Sequence, residues 1–172
     1  TSSVYKWNDH YIVFDKVADQ FVLLNALKKE LEEVTVRNYQ DPFYDFNRNC
    51  CADTTTSTEW EHILLTANLV ADKKLQQEYL DMHATQFEKW PEVSNGFCNA
   101  SFQRLLLYRN GRQLMLVISI PKGKTLAELD PLTIKNNPRM NDWNKIMRKY
   151  QEGIPGTNPG DTWVFLTPLS KP

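Results

Sequence analysis

Two apolar runs, Ala100 to Tyr108 and Gln113 to Ile120, flank the pair Asn110-Gly111. Asn-Gly between alternating hydrophobic residues is the strongest short signal for a tight β-hairpin, because both residues tolerate the positive φ such a turn requires. The hairpin constrains the fold through what stands on either side of it. Before it, His62 to Val70 reads as a strand centred on Ile63-Leu64-Leu65, and Asp72 is placed to cap a helix that carries His83 and ends near Pro91 to Gly96. After it, Pro121 to Lys124 breaks the strand and Thr125 to Leu132 reads as a short helical turn. Asn141 to Glu152 is expected as a second helix with Trp143, Ile146, Met147 and Tyr150 inward, Gly153 to Gly160 as a loop, and Thr162 to Leu169 as a last strand.

The order is strand, helix, strand, strand, helix, strand. That is the split β-α-β of ferredoxin-like α+β folds, in which two helices cover one face of an antiparallel sheet. Its other face must also be buried. Sheet-against-sheet pairing, of the kind seen in dimeric α+β barrels, predicts either a homodimer or a second copy within the chain.

Upstream, Val4 to Trp7 and Tyr11 to Val17 read as strands around Asn8-Asp9, and Phe21 to Val36 as an amphipathic helix with Leu24, Leu27, Leu31 and Val34 on one side. The stretch Tyr39 to Phe46 suggests a short helix starting at Asp41-Pro42, and Asn47 to Thr58 a polar loop. Thr35-Val36-Arg37-Asn38 resembles Thr133-Ile134-Lys135-Asn136, and Glu59-Trp60 through Leu65-Thr66 resembles Thr162-Trp163 through Leu166-Thr167. The expected organisation is thus a partial ferredoxin-like half repeat and linker over residues 1–58, followed by a complete domain over 59–172.

Composition narrows the function. A net charge of −1 with dispersed Lys and Arg offers no stripe for phosphates, which argues against nucleic acid. The longest apolar runs are strand-sized, which argues against a membrane span. Cys50, Cys51 and Cys98 cannot all pair within the chain and are read as free thiols. No spacing supplies a metal set, and neither metal nor cofactor is expected. A reducing, cytoplasmic compartment follows as the default.

The His83 helix is the candidate for chemistry. At about 100° per residue, Leu75, Tyr79, Met82, His83, Gln86, Phe87 and Trp90 share a side, so the imidazole faces inward. A histidine among aromatic residues is either a core residue bonded to a backbone carbonyl or an acid/base group working near neutral pH.

Glu78-Tyr79-x-x-x-His83-Ala84, Trp90-Pro91-Glu92-Val93, Trp143-x-Lys145-x-Met147 and Pro159-Gly160-Asp161-Thr162-Trp163 together resemble the L-rhamnose mutarotase family, over residues 60–170. The resemblance implies a cofactor-free interconversion of the α and β anomers of L-rhamnose or a related 6-deoxy hexose. It carries His83 over as the acid/base, with Tyr79 and Trp143 as sugar contacts. It departs in three places. Trp90 stands further from His83 than the family's tryptophan, with Phe87 at the nearer position. The family's second-strand tyrosine becomes Phe102 or Arg104, and the second residue of its tryptophan pair becomes Asn144. Those departures leave open another sugar, a non-catalytic carbohydrate-binding module, or a different α+β-barrel enzyme such as a monooxygenase.

Overall fold

The computed structural model describes residues 3–15, 19–31 and 33–169. Lys16 and Val17, included in the second expected strand, lie outside the described residues, as does Glu32 of the expected first helix.

Strands β1 (Ser3–Trp7) and β2 (His10–Phe14) form the upstream hairpin, with Asn8 at φ 48° in its turn. Helix α1 (Gln20–Glu30) is capped by Asp19, and strand β3 (Tyr44–Asn47) follows after an irregular stretch. Strand β4 (Trp60–Leu69) leads into helix α2 (Lys73–Ala84), a single turn α3 (Gln86–Lys89) and helix α4 (Pro91–Asn99). Strands β5 (Arg104–Asn110) and β6 (Gln113–Pro121) are the central hairpin. Helices α5 (Leu126–Ile134) and α6 (Pro138–Met147) precede three two-residue strands, β7 (Gln151–Glu152), β8 (Val164–Phe165) and β9 (Thr167–Pro168).

The larger sheet runs β3-β5-β6-β4-β7, with β8 also on β4. From β4 onward this is the ferredoxin-like order, and β3 is an extra strand on its β5 edge. The smaller sheet is β2-β1-β9, so an upstream hairpin is joined by the last strand of the chain. Along residues 3–47 the elements come as strand, strand, helix, strand, the order of a half repeat, but they serve two different sheets.

Alternation along each strand gives the larger sheet two apolar faces. Leu65 and Leu69 of β4, Leu105 and Leu107 of β5, and Leu114, Ile118 and Ile120 of β6 face the helices. Leu64, Leu106, Met115 and Val117 face the other way and pack with Tyr5, Leu166, Trp7, Ile12 and Phe14. The second face is therefore covered from within the chain by the β1–β2 hairpin.

Several sequence expectations shift. Tyr39 to Phe46 contains no helix: Tyr44 to Asn47 pairs with Leu107 to Arg104, because Tyr44 and Phe46 at alternate positions suit a half-buried strand. The central turn is Gly111-Arg112, one residue later than Asn110-Gly111, and Gly111 at φ 61° takes the position that needs a positive value. The α2 region is broken at Thr85 and again at Trp90, since the residue before Pro91 is driven out of helical geometry. Pro91 opens α4 instead of closing the preceding helix, and α6 starts at Pro138 and ends at Met147, releasing Gln151-Glu152 to pair with β4. Helix α1 is shorter than expected, buries none of its residues fully and leaves Phe21, Val22 and Leu23 exposed.

The free-thiol reading is overturned for two of the three cysteines. Cys51 and Cys98 form a disulfide, and only Cys50 is free. Sequence could not show that β3 and the one-turn 3₁₀ helix after it (Arg48–Cys50) deliver Cys51 to the end of α4. Buried Arg48 ties the same junction, donating to the carbonyls of Cys98 and Phe102 at 3.5 Å and of Asp53 at 2.6 Å. With the disulfide, the thiol argument for a reducing compartment falls. No helix among the described residues is long and apolar enough to cross a membrane.

The disulfide bridges residues 47 positions apart. Cys98→Ala is expected to lower unfolding free energy by about 2–4 kcal/mol, through the freedom it returns to the unfolded chain. Urea titrations should show a dithiol reductant destabilising the native protein to a similar degree while leaving the variant unchanged.

Candidate functional site

His83 sits in the last turn of α2, only 5% exposed, beneath four rings. Tyr79, one turn earlier, tilts against it at 4.2 Å between centroids. Trp143 from α6 meets it edge-on at 5.2 Å, Tyr44 from β3 at 5.3 Å, and Phe43 at 5.7 Å. Phe43 is the one of the four not fully buried, held by its backbone N–H donating to Leu107 O at 2.9 Å.

The imidazole's tautomer follows from its partner. Nδ1 lies 2.8 Å from the Tyr79 carbonyl, which can only accept, so Nδ1 carries the hydrogen. The neutral ring then presents a lone pair at Nε2, which has no hydrogen-bond partner among the described residues. Burial pushes the His83 pKa down to about 4, with the Tyr79 carbonyl opposing the shift. Near neutral pH the ring is uncharged and Nε2 is a base.

Two amides fix the polarity of the neighbouring phenols. Gln86 donates through Nε2 to Trp90 O at 2.6 Å, so its Oε1 is the atom facing Tyr44, whose hydroxyl donates to it at 2.6 Å. Gln151 takes the indole N–H of Trp163 on Oε1 at 3.2 Å, so its Nε2 donates to the Tyr79 oxygen at 3.1 Å. Both phenol pKa values are pushed up by burial. The Tyr79 O–H remains an uncommitted donor, and the Tyr44 oxygen an acceptor.

Of the residues singled out from sequence, the structure brings His83, Tyr79 and Trp143 together. Phe102 is buried beside the disulfide and stacks on Phe97 at 5.8 Å. Arg104 shares the face of Leu106 and makes a two-point pair with Asp45 at 3.0 and 2.7 Å, on the hairpin side of the sheet. Asn144 is exposed on α6. Sequence reasoning missed Phe43 and Tyr44, whose only signal was the aromatic density of residues 39–46. It also missed Gln151, placed within a helix. Trp90 extends the aromatic series beyond Trp143, at 5.6 Å, and carries the Arg139 guanidinium 3.9 Å over its ring.

Fold and cage define a ferredoxin-like α+β domain built around one neutral imidazole of fixed tautomer, a group suited to acid/base chemistry. The L-rhamnose mutarotase profile matches residues 51–169, and the chain belongs to that family of carbohydrate isomerases. An L-fucose mutarotase of Xanthomonas campestris is 25% identical over 108 residues, covering 60% of this chain and 81% of the relative. A UPF0734 protein of Dictyostelium discoideum is 25% identical over 115 residues, covering 62% and 86%.

The depressed His83 pKa has a definite pH signature. The unfolded histidine takes its proton near pH 6.5 and the folded one only near 4, so the unfolded state binds the proton first as pH falls. His83 should therefore cost no stability above about pH 6.5, remove on the order of 3 kcal/mol between there and pH 4, and add nothing further below. Urea unfolding across this range should be visibly flatter for His83→Gln, and the His83 carbon resonances of the native protein should hold still from pH 8 to 5.

Proposed function

We propose that the chain interconverts the α and β anomers of L-rhamnose, L-fucose or a related 6-deoxy hexose, with His83 as the acid/base. The observation that carries this reading is the chain's membership of the mutarotase family; the Nδ1–H bond to the Tyr79 carbonyl, which a core histidine would make as well, is compatible with it because it leaves Nε2 unprotonated.

Anomerisation removes a proton from the anomeric hydroxyl as the bond from C1 to the ring oxygen breaks, and delivers a proton to the ring oxygen. Nε2 of His83 takes the first proton. The Tyr79 O–H, whose oxygen already accepts from Gln151, is the uncommitted donor for the second. The open-chain aldehyde then turns about C1–C2 and recloses on its other face by the reverse transfers. Positioned proton transfer of this kind contributes about 10²- to 10⁴-fold in rate. Trp143 supplies an aromatic surface for the sugar's C–H groups. With His83 5% exposed, a hexose reaches Nε2 only if one of the surrounding rings shifts.

The crowding of four rings around His83 favours one second reading, a carbohydrate-binding module that keeps these residues without turnover.

Saturation-transfer NMR on the anomeric protons of L-rhamnose, L-fucose and other hexoses tests the proposal. The native protein should accelerate exchange, and folded His83→Ala should lose about 10²- to 10⁴-fold. Sugar-dependent shifts without accelerated exchange would instead identify a binding module.

A further inference from the structure

Tyr44 lies outside the segment that matches the family profile, yet it forms part of the wall around His83. Strand β3 places it there by pairing Tyr44 with Leu107 on the outer edge of the domain's sheet. Its ring is edge-on to His83 and stacked on Phe87 at 5.4 Å, with planes 8° apart. Its hydroxyl reaches Gln86, three residues beyond His83, so the phenol oxygen runs alongside the turn that carries the imidazole.

The hydrogen-bond directions make this oxygen informative. Gln86 is fully buried and cannot flip, because its amide N–H₂ is held by the Trp90 carbonyl and reaches Ser94 Oγ at 3.4 Å. The Tyr44 hydrogen is therefore spent on Gln86 Oε1, and the oxygen faces its remaining neighbours only as an acceptor. Among the described residues nothing donates to it. Together with Nε2 of His83 and the O–H of Tyr79, the cage presents two acceptors and one donor whose capacity the protein leaves unused. The hydroxyl already serves to satisfy the fully buried Gln86 Oε1, which phenylalanine would leave without a donor, and that bond leaves the phenol oxygen free to accept from a third group. A hydroxyl oriented as a pure acceptor has a use where a ligand brings O–H donors.

We propose that Tyr44 is a substrate-binding residue of the His83 site, its phenol oxygen accepting a hydrogen bond from one ring hydroxyl of the sugar. The inference rests on the mutarotase reading and adds to it a contact supplied by the chain's own upstream strand. The strand thereby helps select the substrate: a sugar lacking that hydroxyl, or carrying it in the opposite configuration, leaves the Tyr44 oxygen buried with a lone pair unmet.

The test is anomer exchange measured against sugar concentration for the native protein and Tyr44→Phe, on the best sugar and on its monodeoxy derivatives. Tyr44→Phe is expected to raise the half-saturating concentration about tenfold with the saturated rate little changed. One monodeoxy sugar should be penalised by the native protein and bound equally well by native protein and variant, a pairing that a merely structural tyrosine would not produce. If loss of the Gln86 partner prevents Tyr44→Phe from folding, Tyr44→Phe/Gln86→Met removes both ends of the bond and is expected to show the same pattern. Native exchange with an unchanged half-saturating concentration in the variant, or equal penalties for every monodeoxy sugar in both proteins, overturns this inference alone. A native protein that accelerates no sugar's exchange overturns it together with the mutarotase reading.

Discussion

The nine-residue pairing of β4 with β6 governs the rest of the structure. Both strands are apolar at odd and even positions alike, so their ladder creates two hydrophobic faces that cannot both be left to water. Helices α2, α4, α5 and α6 close one face, and the hydrophobic cluster there contains the His83 site. The other face would lie bare in a minimal ferredoxin-like domain. Here the β1–β2 hairpin lies over it, clasped by β9, and the Tyr5 hydroxyl donates to the His62 carbonyl at 3.2 Å. The upstream residues are thus part of the core that makes the downstream domain stable.

What could be read from the sequence was what local chemistry decides. Strand β4, the central hairpin, the Asp72 cap and the inward direction of His83, Tyr79 and Trp143 each rest on alternation, helical spacing or a short polar side chain next to a free backbone N–H. The misread elements are those that tertiary partners decide. Tyr44 to Asn47 becomes a strand because β5 offers it an edge, and Gln151-Glu152 leaves the helix because β4 offers another. The Cys51–Cys98 pairing depends on two segments meeting across the fold, which spacing along the chain cannot report. Phe102 and Arg104 are the two positions that the family resemblance offers for its second-strand tyrosine, depending on where a small gap is placed; Phe102 precedes β5, and Arg104 opens it. Arg104 finds Asp45 on the hairpin side, and His83 finds its rings on the other.

At the site, polarity is set by groups that cannot be reoriented. A backbone carbonyl fixes His83, a second carbonyl fixes Gln86, and an indole N–H fixes Gln151. Each is an obligate donor or acceptor, and each passes its direction to the next group in line. This hardwiring keeps a cage of aromatic rings chemically asymmetric, with acceptors at Nε2 and Tyr44 and a donor at Tyr79. The arrangement suits a reaction that lifts a proton from one oxygen and sets one down on its neighbour.

The added strand β3 has a bearing on where this protein can be cut. Similarity to the family begins at residue 51, while the sheet it describes is completed by residues 44–47. Excised at the similarity boundary, β5 would become an outer strand with bare backbone N–H and C=O groups, and the second face would lose its cover. Such a fragment would carry every family motif and still behave as an adhesive surface for other chains. The stretch that the family shares and the set of strands that completes this sheet are, in this chain, different lengths of polypeptide.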